Sequence, residues 1–138
     1  MEKMQIDLKE LAVSVIDQEA KAVEKLKPFI DDEFVEILNL IYSSKGRLVI
    51  TGIGKSAIIG SKIVATLNST GTPSIFMHAA DAIHGDLGIV QPDDVVLCIS
   101  KSGNTPEIKV LVPLIRRMGN KLVAMVSNVD SYLAQHSD

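Results

Sequence analysis

The sequence contains no tryptophan and only two tyrosines and three phenylalanines in 138 residues. A chain of this length buries roughly 70% of its unfolded surface, so its core has to be aliphatic. Apolar residues make up 46% of the composition and can supply that core. The single cysteine, Cys98, excludes an intramolecular disulfide and fits a reducing compartment. Basic residues are not in excess: 14 Lys and Arg against 17 Asp and Glu leave a net charge of −3. Nucleic acid, whose phosphates need a positive stripe, is therefore not an expected partner. The N-terminus, MEKMQIDLKE, is charged and has no apolar signal region. No apolar run approaches the ~20 residues that span a bilayer. A cytoplasmic protein with no membrane partner is the expectation. Repeats, low-complexity tracts and a Pro/Gly-rich linker are also missing, and the length fits one domain.

What is present falls into two regions. Residues 6–27 have the spacing of an amphipathic helix, with Leu8, Leu11, Ala12, Val15, Ile16, Val23 and Leu26 mostly on one face, stopped or bent by Pro28. Asp31 or Asp32 can cap a second helix, for which Gly46 suits the position after the C-terminus. We expect residues 1–45 to form a helical extension. From Gly46 the period changes. The runs RLVITGIG, PSIFMH, DVVLCIS and KLVAMVS read as strands, and KSAIIGSKIVATLNSTG, PEIKVLVPLIRRMG and DSYLAQH as helices. AADAIHGDLGIV reads as a loop with at most a helical turn. Strands that are apolar throughout and alternate with helices imply a doubly wound, parallel α/β sheet covered on both faces, over 46–138. Pro113 inside the helix after the third strand should kink or break it.

In open α/β sheets ligands sit outside the carboxyl ends of the strands, and two loops there are notable. TGIGKSA, residues 51–57, brings glycines, Lys55 and Ser56 to a helix start. It is not a P-loop, because Val49 occupies the first glycine position. Gly52, Gly54 and Ala57 satisfy the dinucleotide fingerprint, but the acid that should hold a ribose at the end of the second strand is missing, and His78 stands in that region. SKSGNTPE, residues 100–107, places Ser100, Ser102 and Thr105 around Gly103, which permits a left-handed turn, and Pro106 suits the first turn of the next helix. One hydroxyl would be enough for a helix cap. Three, with a matching loop on a neighbouring strand, point to a phosphate held by hydroxyls and free backbone N–H groups. His84, beside Gly85 and Asp86, lies in a loop where histidines often act. The spacing of His78, His84 and Asp86 matches no established metal signature, and no metal is expected.

These pieces together resemble the sugar isomerase (SIS) domain family, and most closely its arabinose-5-phosphate isomerases of the 3-deoxy-manno-octulosonate and capsule pathways. G-x-G-K-S, H-G-D-L-G and S-x-S-G-x-[ST]-x-E carry the resemblance, in that order and at these spacings. It implies that Ser56, Ser100, Ser102 and Thr105, with Gly54 and Gly103, cradle a sugar phosphate. It also implies that Lys55 and His84 belong to the active site, that Glu107 is the catalytic base, and that His84 can capture an inhibitory metal. The implied reaction interconverts D-arabinose 5-phosphate and D-ribulose 5-phosphate with no cofactor, in a homo-oligomer, a tetramer or dimer. Asn104 stands where many members carry glutamate. The resemblance covers roughly residues 5–138, part of a full family domain. A fifth strand, two later segments with a further glutamate and histidine, and tandem CBS domains do not follow, so a truncated chain is expected. Two other classes stay open at this point: a sugar-phosphate-binding sensor without turnover, and a structural oligomerisation domain.

Overall fold

A computed structural model describes residues 7–138 and divides into two compact units, Met1–Leu38 and Asn39–Asp138. In the first, α1 (Leu8–Glu24) starts at Asp7, whose carboxylate accepts from the Lys9 N–H at 2.8 Å and the Glu10 N–H at 3.3 Å. That side chain takes up N–H groups that the first turn leaves without partners. The expected start at residue 6 lies outside the described residues. Pro28 sits in a 3₁₀ turn, Lys27–Phe29, where its missing N–H costs little. Asp31 is the cap of α2 (Asp32–Ser43) and accepts from the Phe34 N–H at 3.0 Å. The apolar stripe of α1 exists as its spacing predicts, yet none of its residues is buried. Leu8, Leu11, Val15, Ile16, Val23 and Leu26 are all exposed.

The second unit is a parallel sheet of β1 (Leu48–Gly52), β2 (Ser74–His78), β3 (Val95–Ser100) and β4 (Lys121–Val126). The strand order is β2-β1-β3-β4. Every position of β1 and β3 is buried. These are the central strands, covered on both faces, and that is why they read as unbroken apolar runs. The flanking strands β2 and β4 are buried only in part. α3 (Lys55–Ser69) and α5 (Pro106–Met118) connect the strands; α4 (Ala79–Ala82) and α6 (Tyr132–Gln135) are short. Val49, Val96, Cys98, Ile108, Leu111, Ile115, Leu122 and Leu133 form one aliphatic cluster. Burial pushes the Cys98 thiol up to about 12, so this cysteine packs and does not react.

One local expectation is narrowed and one is corrected. Of the kink or break expected at Pro113, the break does not occur: α5 runs through it as one helix. Pro113 is on the exposed face, so the carbonyl it leaves unpaired, that of exposed Lys109, can bond water. Gly46 does not terminate α2, which ends three residues earlier. It is needed for a close approach instead: a Cβ there would collide with the backbone of Asp93 and Asp94.

That approach belongs to a polar clasp at the amino-terminal edge of the sheet. Asp94, 2% exposed, accepts from Arg47 Nη2 and the Arg47 N–H, both at 2.7 Å, and from the Gln91 N–H at 2.9 Å. Burial pushes the Asp94 carboxyl up, but the Arg47 side chain and the two N–H donors outweigh it and hold it below the usual carboxylate range. Asp94→Ala should cost about 2–3 kcal/mol, the low end for breaking a buried pair because the Arg47 side chain is one-third exposed. The lowered folded-state value fixes the sign. The contribution is complete above the unfolded value of about 3.9 and is lost as pH falls through the folded one. Urea midpoints of native protein and D94A should therefore differ near neutrality and converge in acid; a constant gap would refute the assignment.

Candidate phosphate-binding site

The chain enters β1, crosses to β2 on one side, then returns to β3 on the other. The switch point lies between β1 and β3, so the loops after these strands diverge and leave a crevice. The register brings the carboxyl ends level: Gly52 pairs with His78 and with Ile99, and Ser100 with Val126. A cleft of about 380 Å³ opens there, lined by Ile53, Ser56, Ser100, Lys101, Ser102, Thr105, Ser127 and Asn128. All four hydroxyl residues expected from the sequence thus face one space, two loops having been folded together by strand pairing.

The hydrogen bonds of these hydroxyls explain what the cleft accepts. Ser100 Oγ accepts from the Gly103 N–H at 3.1 Å, and Ser102 Oγ from the Asn104 N–H at 3.3 Å. Each oxygen is engaged as an acceptor, which leaves its proton to donate. Thr105 stands at the N-cap of α5, yet its side chain makes no cap bond. Its Oγ1 is buried and has no partner among the described residues. A buried hydroxyl without a partner costs about 1–3 kcal/mol, so the structural reading, a simple helix cap, does not account for Thr105. α3 and α5, 15 and 13 residues long, both begin at this crevice, and their free N–H groups and dipoles favour an anion.

The other expected residues do not line the cleft. Gly54 is the N-cap of α3 and Lys55 its first residue; both are exposed. Glu107 is half-buried in the first turn of α5, two residues from Thr105. His84 is exposed, between α4 and a 3₁₀ turn at Asp86–Ile89. Gly103, with φ +65°, is buried and turns the loop against Ser131. His78, in place of a ribose-holding acid, caps α4, its Nδ1 accepting from the Ala80 N–H at 3.3 Å. Among the described residues no three His, Cys, Asp or Glu side chains come together as a metal set.

Ser127 and Asn128 were not anticipated. They follow β4 as Ser100–Ser102 end β3, and asking the strand-end rule of all four strands would have found them. A second cleft, of about 440 Å³, lies at the opposite edge and includes Lys45, Arg47, Gln91 and Asp94. Its arginine is already committed to Asp94.

Comparison with known proteins shows clear relatives of the chain. The family model described as "SIS domain" matches residues 40–138. The arabinose 5-phosphate isomerase KdsD of Pseudomonas aeruginosa is 47% identical over 133 residues, 96% of this chain and 41% of the relative. The arabinose 5-phosphate isomerase KpsF of Escherichia coli O6:H1 is 44% identical over 122 residues, 88% of this chain and 37% of the relative. The chain thus spans about two fifths of the length of these curated relatives. Among solved structures, an E. coli CFT073 protein in complex with arabinose 5-phosphate superposes with a TM-score of 0.88 at 42% identity, covering 99% of this chain and 72% of that one. No helix among the described residues is long and apolar enough to cross a membrane.

Proposed function

This chain belongs to the SIS domain family, and from that footing we propose that it binds a pentose phosphate and interconverts D-arabinose 5-phosphate and D-ribulose 5-phosphate. The observation that carries the reading is the convergence of four hydroxyl residues from two loops at two helix starts, with Thr105 Oγ1 buried and without a partner among the described residues. Ser56, Ser100, Ser102 and Thr105 hold the remote phosphate, while Gly54 and Gly103 let the backbone turn around it. That grip supplies binding energy which orients the reacting end of the sugar.

At that end, Glu107 takes the proton from C2 of the open-chain aldose. The C–H electron pair forms the C1–C2 double bond of an enediol, and O1 takes up the charge. Lys55 stabilises the developing negative oxygen, and His84 orients a hydroxyl or assists ring opening. Return of the proton from Glu107 to C1, with the O2 proton passing to O1 as the C2 carbonyl forms, completes the ketose. No step calls for a metal or an organic cofactor.

Proton NMR of the protein with D-arabinose 5-phosphate in D₂O tests this. Ketose appearing with deuterium at the transfer carbon supports it; a protein that neither converts nor binds the sugar overturns it. A second reading, binding without turnover, is favoured by one observation: Lys55, His84 and Glu107 are not among the residues lining the cleft. Saturable binding with no exchange would select it. The exposed apolar stripe of α1 supports self-association of copies, which sedimentation would refute by finding a monomer at all concentrations.

A further inference from the structure

Resting on the phosphate-binding reading above, the geometry points to Asn104 as the positioning residue of the anion-receiving loop. Asn104 is exposed and does not line the cleft, so it offers nothing to the ligand directly. Its amide instead joins two segments. Oδ1 accepts from the Tyr132 N–H at 3.0 Å, at the start of α6, and Nδ2 donates to the Ser102 carbonyl at 3.1 Å. Both partners are backbone groups, one able only to donate and the other only to accept, so only an amide in this orientation satisfies both. The Asn104 N–H meanwhile donates to Ser102 Oγ at 3.3 Å. Ser102 is therefore held at its carbonyl and at its hydroxyl by one neighbour, and that neighbour is anchored outside the loop.

The anchorage is continuous with two further backbone bonds between the same segments. The Ser127 N–H donates to the Lys101 carbonyl at 3.1 Å, and the Leu133 N–H to the Gly103 carbonyl at 3.0 Å. Those two fix the ends and the turn of the loop. The Asn104 amide adds to them a bond to the carbonyl of Ser102 itself and a side-chain tie to the start of α6. A loop that must hold hydroxyls and N–H groups aimed at one anion loses affinity when it samples other shapes, because the ordering cost moves into the binding step.

Titration with inorganic phosphate, followed through the backbone amide signals of the native protein, N104A and N104D, tests the assignment. N104A loses both amide bonds. Its phosphate Kd should rise about tenfold, roughly what two ordinary hydrogen bonds are worth, with a melting temperature lower by only about 3–6 °C and a native fold. N104D keeps an acceptor for the Tyr132 N–H but not the donor to Ser102. Its Tyr132 amide should keep a hydrogen-bonded shift while phosphate binding weakens, and weakening should persist in high salt, where its added charge is screened. Native affinity in N104A overturns the assignment; should N104A not fold, native affinity in N104D at high salt does the same. No phosphate binding by the native protein overturns it together with the reading it rests on, an outcome distinct from native binding that the variants leave untouched.

Discussion

Glu107→Gln is expected to lower turnover of D-arabinose 5-phosphate by roughly 10²–10⁴-fold, the range over which a positioned acid–base group acts. The amide is nearly isosteric and can hold the same place in the first turn of α5, so the fold should be unaffected. It cannot accept the C2 proton at neutral pH. The phosphate contacts are assigned to hydroxyls on the preceding residues and on the β1 loop, none of which the substitution alters. Inorganic phosphate should therefore bind E107Q within about twofold of native, since only the chemical step has been removed. Single-turnover measurements separate the two effects. A variant that keeps more than about a tenth of native turnover would show that another group moves the proton. Should the native protein itself turn nothing over, Glu107 has no catalytic part and the binding-only reading stands.

The largest structural effect is expected at Gly103. Its φ of +65° is left-handed, and a Cβ there would run into Ser131 Oγ and Cβ, with Val126 Cγ1 at 3.3 Å. Ser131 is fully buried and caps α6, its Oγ accepting from the Ala134 N–H at 3.3 Å. It cannot move aside without releasing that helix start. Gly103→Ala should combine backbone strain with overpacking, about 2–4 kcal/mol in all, and should abolish phosphate binding by displacing Ser102 and Thr105. Gly119 provides the control. It has φ +83° at the end of α5, but no atom of the described residues lies within 4 Å of its missing Cβ. Gly119→Ala should cost about 1 kcal/mol, the strain alone. Urea unfolding of the two variants measures the difference. Equal losses would mean that the contact with Ser131 carries no weight.

These two residues mark how far the linear pattern reaches. Gly103 and Glu107 were both legible as parts of a loop between an apolar strand and a helix start, because turn glycines, N1 prolines and strand runs are local signals. The four strands and their parallel pairing were legible for a similar reason: strands buried on both faces have to be apolar at every position, as β1 and β3 are. The candidate hydroxyls could be picked out by type and by their place after a strand.

Other features depend on residues far apart in the chain. Nothing near Gly46 shows that Asp93 lies against it, and its role as a close-approach glycine came from the packing of two segments. Pro113 signalled a kink or a break, and its place on the exposed face of an unbroken α5 came from the packing of that helix. Ser127 and Asn128 joined the cleft only because β4 pairs with β3 in a register that levels their ends. Sequence by itself determined the elements, the sheet type and the hydroxyl-rich loops, since each is set by side chains within a few positions of one another. Tertiary structure alone decided that the loops share one crevice, that Thr105 Oγ1 has no partner among the described residues, and that Asn104 bridges to α6. Strand order and register bring those groups together, and they are long-range properties no local window contains.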